Sequence, residues 1–208
     1  MPLFYQKNIN QHTKLAIWKI EEEEIFFHHV AIAQREITHA HKRLQHLAGR
    51  YLLQFLYPSF PYNEIEITNT KKPFLSNKNL HFSISHCGNY AASIVSTTHN
   101  VGIDIEISTE KIYALANKFL HQEEISSHQI NIHAPTEGLV NYLTLLWSCK
   151  EAVFKWWGKG SVNFSEMICI EPFTYADNGV VQVYFKQQLL LLEYIVFDNL
   201  CLVWVITE

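Results

Sequence analysis

The chain has 208 residues, of which 48% are hydrophobic and only 17% are charged, a composition typical of a folded globular protein and not of a disordered one. A formal net charge of -4 argues against a general nucleic-acid binder, which would usually carry a basic surface. The length allows one domain or two smaller lobes.

The cysteines and the apolar runs indicate the cellular compartment. The four cysteines are widely spaced, form no C-x-x-C motif, and accompany no secretory leader. We therefore expect reduced thiols and a cytoplasmic protein. No apolar run reaches the roughly 18 residues needed to cross a membrane, so we expect no membrane partner.

The first part of the chain is predicted to form a strand, a long helix and several short strands. Apolar periodicity predicts a strand over 15–20, a helix start at 21–24, and a long helix over about 33–57 that Pro58 ends. Arg43 and Arg50 flank its apolar stripe, where they either border the buried face or bind an anion. The stripe consists of Leu44, Leu47, Ala48, Tyr51, Leu52 and Phe55. Short strands are predicted over 64–68, 80–86 and 90–96.

The next segment, 101–107, alternates apolar residues with Gly102, Asp104 and Glu106. This period of two predicts a strand with one buried face, and places the glycine and both acids on the other face. Residues two apart on a strand lie about 6.5 to 7 Å apart, so their carboxylates can converge on one cation. Mg²⁺ suits such a site, because it usually takes one or two carboxylates and leaves other positions to water and phosphate. The alternative is an edge strand whose acids only prevent pairing with another chain.

The second half repeats the order of helix and then strands. It is predicted to be helical from about 108 to 127, to loop at 128–137, and to form a second long helix over about 139–157 that ends at Gly158. Four strands are predicted over 167–170, 180–185, 191–197 and 200–206. We predict an α+β fold with mostly antiparallel sheets.

The second long helix carries a group of charged and aromatic residues. Glu151 and Lys155 are four residues apart and therefore share a helix face. An exposed ion pair is one interpretation. However, Trp147 and Phe154 lie beside them, so we expect part of this face to be buried, and buried charges need partners or a ligand.

These motifs together resemble the 4′-phosphopantetheinyl transferase superfamily. The match comprises Gly102-Ile103-Asp104-Ile105-Glu106 and, in the second helix, Trp147-Ser148-Cys149-Lys150-Glu151 with Lys155. Upstream, Lys72-Pro73 matches the family's G-K-P, Phe82 to His86 matches its F-N-x-S-H, and Arg50 falls where longer members carry a CoA-contacting arginine. Lys71 and Ser83 depart from the family's glycine and asparagine, which leaves the fine geometry of nucleotide binding open. Because Gly102 is in mid-chain, the long, surfactin-synthetase type is the closer match.

The resemblance implies a pseudo-dimer of two similar α/β lobes, each with a long helix packed on a small, mostly antiparallel sheet. Residues 1–100 would form the N-terminal lobe with the CoA nucleotide contacts, and 101–208 the C-terminal lobe with the Mg²⁺ and catalytic residues. The active site would lie in the cleft between the lobes. We expect a monomer, unlike the short, trimeric type.

The implied reaction transfers 4′-phosphopantetheine from coenzyme A to a serine of an apo acyl or peptidyl carrier protein, releasing adenosine 3′,5′-bisphosphate. Asp104, Glu106 and Glu151 would hold Mg²⁺. Lys155, with Lys150, would stabilise the leaving phosphate. The serine proton would go to Glu151, or to a metal-bound water that Glu106 activates. CoA contacts are expected from Arg50, Lys72, Pro73, Ser85, His86, Lys150 and Lys155.

Two alternatives use the same residues. A Mg²⁺-dependent CoA pyrophosphate hydrolase would use water as the acceptor, and a non-catalytic protein would only bind CoA or a carrier. Asp104, Glu106, Glu151 and Lys155 are all present, which favours catalysis. The identity of the carrier is not encoded in these motifs.

Overall fold

The computed structural model describes residues 2–27, 36–68, 72–77, 79–134 and 136–208. In these ranges the strands are β1 Leu3–Asn8, β2 Thr13–Lys19, β3 Ile65–Ile67, β4 Pro73–Leu75, β5 His81–Cys87, β6 Tyr90–Ser96, β7 Asn100–Ile107, β8 Ile168–Ile170, β9 Asn178–Phe185, β10 Gln188–Phe197 and β11 Leu200–Thr207. The helices are α1 Glu24–Phe27, α2 Ala40–Leu56, α3 Tyr113–Phe119, α4 Gln122–Ser127, α5 Glu137–Trp157 and α6 Phe164–Met167, with short 3₁₀ turns at Tyr62–Glu64 and Glu110–Ile112. None of these helices is both long enough and apolar enough to span a bilayer.

The first sheet has the order β1-β2-β6-β5 with antiparallel pairs, and α2 packs on one of its faces. The core there joins Leu47, Leu52 and Leu53 of α2 to Trp18 and Phe82 of the sheet. A small separate sheet pairs β3 with β4.

The second sheet has the order β7-β11-β10-β9-β8, also antiparallel, and α5 packs against it. Leu146 and Val153 of α5 share its core with Val183, Leu192 and Val203 of the strands. The prediction of an α+β protein with antiparallel sheets is therefore confirmed.

A third core joins the two sheets. Ile103 and Ile105 of β7 are fully buried there against Leu15 and Ile94 of the first sheet and Trp204 of β11. This burial is the reason for the apolar positions in the alternating segment, which the sequence predicted to form a strand.

The two sheets meet where β5, the edge of the first, runs beside β7, the edge of the second. Three β5 side chains accept hydrogen bonds from alternate backbone N–H groups of β7: Ile103 N–H to Ser83 Oγ (3.2 Å), Ile105 N–H to Ser85 Oγ (3.2 Å) and Ile107 N–H to Cys87 Sγ (3.3 Å). We call this arrangement the side-chain seam. It satisfies N–H groups that would otherwise be unpaired at the edge of a sheet.

Several predicted boundaries were wrong. The predicted helix over 108–127 is divided, because His121 and Glu124 form a capping box that starts α4 anew after α3. In α2, Phe55 is 38% exposed while Leu53 and Leu56 are buried, so the buried face is turned from the predicted stripe. The segment 33–35 of that predicted helix lies outside the described residues.

Two short strands were not predicted. β1 is an edge strand in which exposed and half-buried residues alternate, so its apolar signal is weak. β4 covers only Pro73–Leu75, between the predicted strands over 64–68 and 80–86.

Candidate active site

Asp104 is the centre of a charged cluster between β7, β5 and α5. Its side chain is almost completely buried. One carboxylate oxygen, Oδ1, accepts hydrogen bonds from Ser85 Oγ (2.8 Å) and Lys155 Nζ (2.6 Å). The other, Oδ2, is buried and has no hydrogen-bond partner among the described residues. A buried carboxylate oxygen in this state is an acceptor for a cation or a donor group.

Gly102 explains how α5 comes close enough for Lys155 to reach Asp104. A Cβ atom at Gly102 would lie 2.2 Å from the backbone oxygen of Ala152 and 2.7 Å from Trp156 Cβ. Only glycine allows this contact without moving the helix. In this structure the space beside Gly102 is taken by α5.

Glu106 and Glu151 complete the cluster, close enough for their charges to act on one another. Burial raises the pKa of Glu151 to about 7, and the negative charges of Asp104 and Glu106 add to the rise while Lys155 opposes it. Burial and the charge of Asp104 also raise the pKa of Glu106, while hydrogen bonds with Cys87 and Trp147 act against the rise. The structure therefore brings together the three predicted carboxylates and Lys155.

The chemistry of this cluster fits a hard cation. Among the described residues, no group of three or more His, Cys, Asp or Glu side chains is arranged to hold a metal ion. Mg²⁺ commonly takes only one or two protein carboxylates and completes its shell with water and phosphate. The buried, unpartnered Asp104 Oδ2 and the raised pKa of each glutamate match that requirement, since a cation would stabilise all three charges.

Lys150 does not join this cluster, contrary to our prediction. Its side chain is fully buried and Nζ donates to Glu124 Oε2 (2.7 Å) and to the backbone oxygens of Phe164 (3.0 Å) and Ile168 (2.7 Å). An ammonium has three donors, so this one is saturated. The physical reason is helix geometry: adjacent residues do not share a face, so Lys150 points away from the side occupied by Glu151 and Lys155. It joins α5 to α4 and β8 instead.

Lys72 and Pro73 lie at the carboxyl end of α5. Lys72 Nζ donates to the backbone oxygens of Lys155 and Trp156, the latter at 3.2 Å, and burial lowers the pKa of Lys72 to about 8. A cavity of about 220 Å³ is lined by Lys72, Pro73, Phe82, Ser83, Ile84, Phe154, Lys155 and Gly158. A second, of about 350 Å³, shares Lys72, Pro73 and Phe82 with it and continues along β4 and β5 to Trp156.

The remaining predicted CoA contacts, His86 and Arg50, lie on β5 and α2. His86 follows Ser85 on β5, and its side chain is exposed to solvent. Partial loss of hydration and the positive charge of Lys155 both lower the pKa of its imidazole. Arg50 is buried in α2, with Nη1 3.4 Å from His46 Nδ1. It does not line either cavity described above. Lys71, where the sequence departs from the family's glycine, lies outside the described residues.

Some contacts in the site were not predicted. Cys87 and Trp147 both act on Glu106, and Phe154 and Gly158 line the smaller cavity beside Lys155. Trp147 and Phe154 belong to the helix motif and were considered only as bulky neighbours. For Cys87 the available signal was its period-two spacing from Ser83 and Ser85.

Comparison with known proteins identifies the family. The model of the 4′-phosphopantetheinyl transferase superfamily matches residues 100–196, which include β7 and α5. The 4′-phosphopantetheinyl transferase gsp of Aneurinibacillus migulanus is 32% identical over 143 residues, which are 68% of this chain and 55% of that protein. The chain belongs to the 4′-phosphopantetheinyl transferase superfamily.

Two further members of the superfamily match shorter segments. The 4′-phosphopantetheinyl transferase psf-1 of Bacillus pumilus is 32% identical over 114 residues, covering 53% of this chain and 47% of that protein. The 4′-phosphopantetheinyl transferase HetI of Nostoc sp. is 31% identical over 108 residues, covering 49% and 44% respectively. The chain thus spans about half the length of the curated relatives that it matches.

Proposed function

We propose that the protein transfers the 4′-phosphopantetheine moiety of coenzyme A to a serine of an apo carrier protein and releases adenosine 3′,5′-bisphosphate. The observation that carries this proposal is Asp104, whose Oδ1 pairs with Lys155 while Oδ2 stays buried without a partner, beside two glutamates of raised pKa. The names of the relatives, all 4′-phosphopantetheinyl transferases, support the same reaction.

Breaking the pyrophosphate of CoA requires neutralisation of its charge, an oriented nucleophile and a stabilised leaving group. Asp104, through Oδ2, with Glu106 and Glu151 would hold Mg²⁺. The bound ion supplies positive charge to the phosphate oxygens and polarises the phosphorus. Burial of the carboxylates keeps water from screening these charges.

Lys155 is the cation that the chain itself provides at the phosphates. Its ammonium is held by Asp104 and Ser85 and stays one-quarter exposed, so it faces both the cluster and the smaller cavity. We assign to it the stabilisation of charge that develops on the leaving phosphate.

Glu151 is the proposed acceptor of the serine proton. In the metal-free structure burial raises its pKa to about 7, and a bound cation would favour the ionised form that can accept a proton. The rival assignment is Glu106 acting through a water, since its pKa is also raised. Replacing Glu151 with glutamine separates the two assignments, because turnover at saturating Mg²⁺ should be lost only if Glu151 is the base.

The nucleotide of CoA is assigned to the region of the two cavities. Lys72 and Pro73 line both, and their position against the end of α5 brings them beside Lys155. His86 and Arg50 are proposed for the 3′-phosphate side.

We further propose the two-lobe organisation, with 1–100 and 101–208 as similar lobes and the cleft at the junction of β5 and β7. A site built within one chain suits a monomer, and we propose a cytoplasmic location.

The test is mass spectrometry of purified apo carrier proteins after incubation with the protein, CoA and Mg²⁺. We expect a gain equal to one phosphopantetheine on the carrier serine, and equimolar adenosine 3′,5′-bisphosphate. A carrier whose serine is replaced by alanine is the matched control and should gain nothing. Consumption of CoA at the same rate without any carrier would instead identify a pyrophosphate hydrolase. Binding of CoA without any product in either assay would identify a non-catalytic protein.

A further inference from the structure

Ser85 differs from the other two residues of the side-chain seam, because it also contacts the charged cluster. Ser83 and Ser85 each accept one hydrogen bond from a β7 N–H group and are almost equally buried. Only Ser85 also contacts Asp104 and Lys155. Among the described residues, Ser83 Oγ has the single bond to Ile103.

The hydrogen-bonding capacity of Ser85 is fully used by these contacts. A serine hydroxyl has one proton to donate and two lone pairs with which to accept. Ser85 Oγ donates to Asp104 Oδ1 (2.8 Å) and accepts from Lys155 Nζ (2.7 Å) and Ile105 N (3.2 Å). A phosphate oxygen of CoA would need the hydroxyl proton, and Asp104 already receives it. The geometry therefore disagrees with our assignment of Ser85 as a CoA contact.

We infer that Ser85 is a positioning residue for the cation site and not a ligand of CoA. Its hydroxyl fixes Asp104 Oδ1 toward Lys155, and this leaves Oδ2 as the carboxylate oxygen without a hydrogen-bond partner, available to a cation. The inference rests on the proposed function, because it assigns Oδ2 to the metal that the reaction uses.

The side-chain seam fixes the position of the Ser85 hydroxyl relative to Asp104. Ser83 and Cys87, on either side of Ser85, hold β7 in register through the N–H groups of Ile103 and Ile107. A slip of one residue would turn every side chain of β7 to the opposite face. With the register fixed, Asp104 stays opposite Ser85.

Two variants of equal shape test the inference. Ser85→Thr keeps the hydroxyl and Ser85→Val replaces it with a methyl group, so any effect of the added volume on folding is shared. Ser93→Ala is the control for losing a buried serine hydroxyl in the same sheet, since Ser93 Oγ donates to the backbone oxygen of Gly49, outside the charged cluster. Circular dichroism and thermal unfolding establish that each variant is folded.

The deciding readout is Mn²⁺ binding, measured by electron paramagnetic resonance on the purified full chain, without carrier. We expect Ser85→Val to bind Mn²⁺ about tenfold more weakly than Ser85→Thr, as a lost hydrogen bond to a charged group implies. CoA affinity measured by calorimetry in a metal chelator should be equal for the two variants. Ser93→Ala should match the wild type in both measurements.

The opposite pattern would overturn the inference. Equal Mn²⁺ affinity for Ser85→Thr and Ser85→Val, with metal-free CoA binding weakened only in Ser85→Val, would make Ser85 a CoA ligand. Failure of the proposed function is distinguishable, because it appears as absence of carrier modification by the wild type. If the wild type modified no carrier but the Mn²⁺ difference persisted, the positioning role would stand without the transfer reaction.

Discussion

Lys155 Nζ lies 2.6 Å from Asp104 Oδ1, and this ion pair joins the last turn of α5 to the middle of β7. The carboxylate is almost entirely buried, while the lysine side chain keeps a quarter of its surface exposed. A basic residue is also favourable at this end of a helix, where the backbone carbonyls are unpaired. The pair therefore has two effects: it holds α5 against β7, and it neutralises part of the negative charge of the site.

Replacement of Asp104 tests the centre of the cluster. Asp104→Asn keeps the shape and a hydrogen-bonding group but removes the charge that Oδ2 offers to a cation. We expect loss of Mg²⁺-dependent CoA binding and of transfer, with the fold retained because Lys155 can turn toward solvent. Calorimetry with and without Mg²⁺, beside circular dichroism, checks this. A variant that no longer unfolds cooperatively would show that Asp104 is needed for structure and not for the metal.

The contribution of Glu151 to the stability of the metal-free protein should fall as pH rises from about 4.5 to about 7. Glu151 has a pKa of about 7 in the folded chain against 4.5 in the unfolded chain, so between these values the folded state binds more protons. Stability decreases with pH wherever the native state holds the extra proton. The change is on the order of 3 kcal/mol, at 1.36 kcal/mol for each pKa unit.

Urea unfolding across this pH range, in a metal chelator, measures the effect. Glu151→Gln removes this titrating group and should make the curve less steep than in the wild type, while Glu106, whose pKa is also raised, still contributes a slope of the same sign. An unchanged slope in Glu151→Gln would mean that the carboxyl is not desolvated as the structure indicates.

Lys155→Met should separate metal binding from catalysis. Loss of the charge at the leaving phosphate should reduce single-turnover transfer about a hundredfold, as expected for one electrostatic contact in a dry site. Mg²⁺ should bind at least as tightly as in the wild type, because a positive charge 2.6 Å from Asp104 is removed. Rapid-quench kinetics with varied Mg²⁺ provides both quantities. Near-normal turnover would return Lys155 to a purely structural ion pair.

Gly102→Ala should weaken both the fold and the site. The new Cβ would lie 2.2 Å from the backbone oxygen of Ala152, so α5 must move away from β7. Overpacking of this kind typically costs about 1–3 kcal/mol. The control is Gly138→Ala in the first turn of α5, where a Cβ meets nothing within 4 Å. That change should be neutral or stabilising by up to about 1 kcal/mol. Equal melting temperatures for the two variants would contradict the close contact.

Lys150→Met should act on stability and leave ligand binding by the folded protein unchanged. It leaves Glu124 buried without its cation, and breaking a buried pair in this way costs about 3–5 kcal/mol. Denaturant unfolding measures the loss of stability. The CoA affinity of the folded fraction should equal that of the wild type. A selective loss of CoA affinity at unchanged stability would restore Lys150 to the phosphate site.

The elements around the site could be predicted because their periodicity is strong. The alternation over 101–107 and the i, i+4 spacing of Glu151 and Lys155 each follow from one element alone. The family resemblance implied one site for these residues, and in the structure Lys155 pairs with Asp104 while the charge of Asp104 acts on Glu106 and Glu151.

The features that could not be predicted depend on how elements pack against one another. The helix period turns Lys150 away from Glu151 and Lys155, but the acceptors that it finds on α4 and β8 are encoded by no local pattern. The side-chain seam could not be predicted either, because it depends on β5 running beside β7. Each of its hydrogen bonds joins residues that are 20 positions apart in the chain. The division of the helix over 108–127 follows from a histidine cap at His121, which is a weak sequence signal beside serine, threonine or aspartate.

Because side chains form the seam, single substitutions can adjust the separation of β5 and β7 without altering either backbone. Ser83 stands where the resemblance gives asparagine, a longer side chain with both a donor and an acceptor. Backbone pairing would fix two strands about 4.8 Å apart whatever their sequence. Here the side chains at 83, 85 and 87 bridge the two strands, so substitutions at these three positions can change the distance between β5 and β7 in small steps while the two sheets remain intact.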